Sequence, residues 1–151
     1  MKIETKITEI THEDLVNLFS TALYGNERLG VYYDLSDYKG KPFENPDDCV
    51  EDKYAKILLN GGHIYIDDYY AEDESDFYGE IKHEWNEEGG YMRYTITLED
   101  IANGLAKAAS SSEPFERKCF SDFAENDCMD FDLTDADGLM QIIVFGEVIY
   151  G

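Results

Sequence analysis

Positive charge is scarce in this chain. Twelve lysines and arginines face thirty-four aspartates and glutamates, a formal net charge of -22 at pH 7. That balance excludes strong affinity for nucleic acid or an anionic membrane and favours basic partners. Histidine is scarcer still. His12, His63 and His83 sit in no HExxH spacing and beside no nucleophile elbow, so zinc hydrolysis and triad chemistry have no signature. The pairs Gly61-Gly62 and Gly89-Gly90 lack the GxGxxG or Walker frame of a phosphate cradle. Carboxylate pairs are so abundant that none stands out as acid and base. Neither an enzyme nor a cofactor is expected.

Cysteine is sparse too. Cys49, Cys119 and Cys128 cannot all pair and show no CxxC spacing, which reads as reduced thiols of a cytoplasmic protein. The opening MKIETKITEI carries Glu4 and Glu9 and no apolar core of a signal peptide, and no run reaches transmembrane length. A soluble, intracellular protein is the expectation. Asp130, Asp132, Asp135, Asp137 and Gly138 look like fragments of a calcium loop. No register supplies the alternating acids with Gly sixth and Glu twelfth. No metal site is expected there, and Asp135 and Asp137 are read as serving a helix N-terminus.

What is present supports a core. At 151 residues, with 43% hydrophobic and 14% aromatic content, the chain suits one ordered domain despite its charge. Ile3, Thr5 and Ile7 alternate with polar neighbours as a first strand. Thr11 with Asp14 opens a helix striped by Leu15, Leu18, Phe19, Ala22 and Leu23, and Gly25 ends it. Residues 28–43 suggest a short helix or an ordered loop. Asn45-Pro46 reads as the start of a helix carrying Val50, Tyr54, Ile57 and Leu58, and Asn60-Gly61-Gly62 stops it. Strands are predicted over 63–70, 77–85 and 91–97, the last two joined through Gly89-Gly90.

Thr97 with Asp100 opens a further helix, with Ile101, Leu105 and Ala108 on its buried side. Residues 115–132 show no regular pattern. Thr134 with Asp137 is predicted to cap a last helix through Phe145, apolar on most sides and therefore central. Gly146 ends it, and Val148, Ile149 and Tyr150 follow as a short strand. The fold class expected is α+β: one domain, three or four mainly antiparallel strands, three to four helices and a central C-terminal helix.

The acids are unevenly spread. Asp67, Asp68, Glu72, Asp73, Glu74, Asp76, Glu80, Glu84, Glu87 and Glu88 run through the sheet region against Lys82 alone. Asp122, Glu125, Asp127, Asp130, Asp132, Asp135 and Asp137 form a second belt with no base among them. A third group, Glu44, Asp47, Asp48, Glu51 and Asp52, opens the second helix. A single acidic run is ordinarily a solvated face. Three belts interleaved with Phe77, Tyr78, Phe123 and Phe131 point further, because duplex DNA carries one charge per roughly 1.7 Å of axis. A domain of comparable carboxylate density can occupy the groove of a nucleic-acid-binding protein. The expected contact residues lie at 67–88, with Phe77 and Tyr78 as apolar anchors, and at 122–132.

Four stretches carry a resemblance: ITHEDLVNLFSTALYG (10–25), ILLNGGHIYIDD (57–68), ITLEDIANGLAKA (96–108) and LTDADGLMQIIVFGEVIYG (133–151). They resemble a family of small acidic proteins of gut bacteria, their phages and mobile elements, with no established activity. The likeness spans most of the chain in order, and residues 75–90 resemble an extension relative to shorter members. It implies a setting, inside a bacterial host cell, and carries over no functional residue. With the charge, it favours a DNA or RNA mimic of the anti-restriction or anti-CRISPR type that binds a basic host protein. Direct nucleic-acid or membrane contact is not expected. Two alternatives stay open. One is a small-molecule binder, for example a nucleotide-signal sponge, lined by the tyrosines of 31–38 and 65–70 and favoured if basic residues such as Arg28, Arg93 or Arg117 converge in one cleft. The other is a phage assembly protein.

Overall fold

The computed structural model describes residues 10–23, 28–34, 47–125 and 130–151. The expected first strand, the Gly25 stop and the Asn45-Pro46 signal lie outside them. The described residues form five helices and a four-stranded, wholly antiparallel sheet. The α+β class therefore holds, with one helix more than expected.

Helix α1, His12–Ala22, starts as its sequence dictates. The Thr11 hydroxyl accepts from the Asp14 amide at 3.1 Å, and the Asp14 carboxylate accepts from the Thr11 amide at 2.9 Å. Leu15, Leu18, Phe19 and Ala22 are buried. Strand β1, Leu29–Tyr32, replaces the expected helix or loop. Leu29 and Val31 point inward and Gly30 and Tyr32 outward, a two-residue period that four residues are too few to reveal. Helix α2, Val50–Leu59, begins after Cys49, whose amide donates to the Asp52 carboxylate at 3.3 Å. Asp47 to Cys49 are non-helical, so the helix does not reach back to Asn45, and Val50 is exposed instead of joining the stripe.

Strands β2 (His63–Asp68), β3 (His83–Asn86) and β4 (Tyr91–Thr97) complete a sheet of order β1-β2-β4-β3. The strand expected over 77–85 is shorter than predicted. Tyr78 turns inward onto the Phe145 ring, and Gly79 sits at φ +76 against the Phe145 backbone, so this segment packs on a helix before pairing begins. Helix α3, Leu98–Ser110, carries the Thr97–Asp100 cap as read.

Helix α4, Pro114–Glu125, forms where no pattern was visible. Phe115, Cys119 and Phe123 recur every fourth residue. Cys119 and Phe123 are buried, and the thiol is pushed up to about 12 by its burial.

Helix α5, Leu133–Phe145, is capped two residues earlier than predicted. Asp132 accepts from the Asp135 amide at 2.9 Å, and Asp135 accepts in turn from the Asp132 amide at 3.4 Å. From Asp135 to Phe145 every residue but Asp137 is buried, and the helix packs against α1, α3 and α4. A Cβ at Gly104 of α3 would stand 2.6 Å from the Ile143 Cα, so the close approach of α3 and α5 requires glycine. Gly146 closes the helix in the left-handed region at φ 87.

Val148 to Tyr150 is not a strand. Side chains satisfy its backbone instead. Gln141 accepts from the Ile149 and Tyr150 amides, each at 2.8 Å, and Glu116 accepts from the Val148 amide at 2.9 Å. Among the described residues no helix is long and apolar enough to cross a membrane.

Candidate functional site: an acidic loop and hairpin beside a tyrosine-lined sheet face

The two-residue period of the strands sorts the acids of the sheet region. Ile64, Ile66 and Asp68 of β2 and Met92, Tyr94 and Ile96 of β4 face the helices and are fully buried. Asp68 is therefore not a surface residue. Its carboxylate accepts from the Tyr70 amide and the Tyr150 hydroxyl, each at 2.9 Å, and burial pushes its carboxyl above the usual range. Asp67 faces the other way but is buried too. Arg93, directly opposite in the β2–β4 ladder, donates to both its oxygens at 2.8 and 2.9 Å. Both aspartates leave the expected contact surface, because burial demands a partner for a carboxylate and each has found one inside the protein.

The acids that follow are displayed. Glu72, Asp73, Glu74, Glu80, Glu84, Glu87 and Glu88 are exposed, and Asp76 is half-buried. The connection after β2 and the β3–β4 turn bring several of them to one end of the sheet. Asp68 pairs in register with Met92, the second residue of β4, and Asn86 with Tyr91, so Glu87 and Glu88 turn at the same end of the sheet at which β2 leaves, through Tyr69–Ala71, for Glu72–Asp76. Local hydrogen bonds shape that loop: Asp76 accepts from the Glu72 amide, and Asp73 from the Ser75 amide and hydroxyl. The Ser75 bonds hold the Asp73 carboxyl below its usual range. Phe77 is exposed and stacks on the His83 ring at 4.0 Å, whereas Tyr78 is half-buried against Phe145.

The second belt is not baseless in space. Lys118, one helical turn before Asp122, bonds it at 2.7 Å and reaches the buried Asp135 at 3.1 Å. Lys118 comes first in holding Asp122 down, while burial comes first in pushing Asp135 up. Arg28 likewise pairs with Asp137. Asp132 is exposed but caps α5, Asp130 is exposed, and Phe123 and Phe131 are buried against each other at 5.2 Å rather than displayed. The Glu125 side chain and Asp127 lie outside the described residues. In the third group, Asp48 pairs with Lys56, Asp52 with His12, and Glu51 is buried.

The tyrosines of 31–38 and 65–70 meet only in part, and what the sequence does not show is that Tyr91 and Arg93 join them on the sheet face opposite the helices. Tyr32, Tyr65 and Tyr91 project there around Arg93, whose guanidinium carbon is 4.7 Å from the Tyr65 ring, 5.6 Å from Tyr91 and 5.8 Å from Tyr32. Tyr69 joins them through a hydroxyl–hydroxyl bond to Tyr32 and an edge contact with Tyr91 at 5.7 Å. A Cβ at Gly30 would stand 2.7 Å from the Tyr69 hydroxyl and 2.8 Å from the Tyr32 ring, so glycine lets both rings close over β1. None of these four tyrosines belongs to the apolar core. Odd positions of 63–67 and 91–97 carry the signal, legible once both strands and their pairing are known.

Arg28, Arg93 and Arg117 do not converge. Arg28 bonds Asp137, Arg93 bonds Asp67, and Arg117 bonds the Ser111 carbonyl. A cleft of about 210 Å³ lies between Gly79–Ile81, α3 and α5, and another of about 490 Å³ between Ser111–Glu116 and Gly146–Val148. Neither is lined by these arginines or by tyrosine. Among the described residues no three histidine, cysteine or carboxylate side chains are grouped to hold a metal ion. Compared with models of protein families, with curated proteins and with solved structures, the chain matches none.

Proposed function

We propose that this chain is a non-enzymatic binding protein whose carboxylates take the place of nucleic-acid phosphates on a basic protein surface. The partner is a host nuclease or another nucleic-acid-handling defence factor, in the phage or mobile-element setting that the resemblance implies. One observation carries the reading. Of the eight carboxylates between 72 and 88, seven are exposed, and Lys82 is the single base among them. Fixed on a loop and a hairpin, they hold a field that steers a cationic partner and costs little to organise on binding. The 122–132 belt is given less weight, because Lys118 neutralises Asp122 and Asp132 serves a helix cap.

Capture from bacterial lysate on the immobilised protein tests this. The retained protein is expected to bind nucleic acid, to be released by duplex DNA as well as by salt, and to lose DNA binding when the acidic protein is added. Equal retention by a variant with Glu72, Asp73, Glu74, Glu84, Glu87 and Glu88 all converted to amides would overturn it, as would undisturbed DNA binding by the captured protein.

A further inference from the structure

The tyrosine face of the sheet plays no part in that reading, yet it is the aromatic surface that the described helices leave open. Tyr32 and Tyr69 are exposed by 44% and 38%, and Tyr65 and Tyr91 are half-buried. We propose that this face receives arginine or lysine side chains of the basic partner, stacked on the tyrosine rings. The proposal rests on the protein being a binder of a basic surface and names where the desolvated contact is made.

Charge complementarity selects the occupant. Arg93 is already held by Asp67 through two of its nitrogens, so that pair adds no net charge to the face. Glu84 stands directly opposite Arg93 in the β3–β4 ladder and is exposed, and the exposed Glu87 and Glu88 follow in the adjoining turn. A cation over the rings gains from their negative faces and from Glu84 together, whereas a phosphate or carboxylate meets repulsion. Arg93 already lies among the rings of Tyr32, Tyr65 and Tyr91, so an incoming cation stacks first on the exposed rings of Tyr69 and Tyr32. Exposed carboxylates alone give long-range attraction and little residence time. Tyrosines beside them supply the apolar area that slows dissociation.

A synthetic oligoarginine peptide is the probe, titrated at several salt concentrations while the tyrosine ring resonances are followed by NMR. The variants are Tyr69→Leu alone and Tyr65→Leu with Tyr91→Leu. Each is expected to lower affinity, by roughly tenfold for the pair, without changing the slope of log K against log salt, since no charge is removed. In the wild type the ring resonances of Tyr65, Tyr69 and Tyr91 are expected to move with peptide, a result that stands even if the double variant fails to fold. Peptide that binds while the rings stay still and Tyr69→Leu binds like wild type overturns the proposal and leaves the proposed function intact. Absence of any peptide binding sinks the proposed function itself. Rings that respond to dilution of the protein alone, or to a mononucleotide instead of the peptide, assign the face to a second copy or to a nucleotide and overturn the proposal.

Discussion

Asp67 and Arg93 face each other across the β2–β4 ladder and are joined by two parallel hydrogen bonds, 2.8 and 2.9 Å long. The pair removes one acid from the surface and fixes the guanidinium around which the tyrosine face is arranged. Arg93→Met strands a buried carboxylate and is expected to cost about 3 kcal/mol. The double change Asp67→Asn with Arg93→Met is expected to recover most of it. Urea denaturation of the two singles and the double decides, and additive losses would mean the pair is not coupled.

Asp68 sets a pH dependence of definite sign. Burial raises its carboxyl in the folded state, so the native protein holds this proton more tightly than the unfolded chain. The stability linked to it is present below the ordinary carboxylate range and is lost as pH rises through the raised value. Asp68→Asn keeps a partner for Tyr150 and removes that loss. Its melting temperature is expected to gain progressively on wild type as pH rises above the ordinary carboxylate range. A difference independent of pH would contradict the assignment.

The cap of α5 gives a sharp comparison. Asp132→Ala removes the side chain that accepts from the Asp135 amide and is expected to cost about 1 kcal/mol. Thr134→Ala, at the position the sequence pattern favours, is expected to change stability by less than about 0.5 kcal/mol. Thermal melts of the two variants settle which residue is the cap, and the reverse order would restore the sequence-based choice.

These two candidate caps show where the sequence was legible and where it was not. Thr11–Asp14 and Thr97–Asp100 were readable because one threonine precedes one acid at the right distance. Before α5 the acids stand so close together that Asp132–Asp135 and Thr134–Asp137 fit the same spacing, and only packing separates them. Asp137 is instead taken by Arg28 and Gln141. Helix α4 was invisible because its stripe runs through a cysteine and is crowded by acids. The last segment read as a strand because its residues suit one, while Gln141 and Glu116 satisfy its backbone from a distance that no local pattern encodes. The exposed carboxylates of 72–88 were legible as composition. The burial of Asp67 and Asp68 and the pairing of Asp122 required the third dimension.

Gly104 tests the closeness of α3 and α5. Gly104→Ala places a methyl carbon against the Ile143 backbone, which cannot yield as a side chain does. A loss of about 1–3 kcal/mol is expected despite alanine's better helix propensity. Stabilisation by this change would show that the helices have room to part.

The central claim is that the exposed carboxylates of 72–88 carry the binding. It is tested most directly by the affinity of the captured partner at rising salt, for wild type and for the six-site amide variant at Glu72, Asp73, Glu74, Glu84, Glu87 and Glu88. The variant is expected to bind more weakly, with a log–log salt slope reduced by roughly one for each ion contact removed. Equal affinity and an equal slope would contradict it.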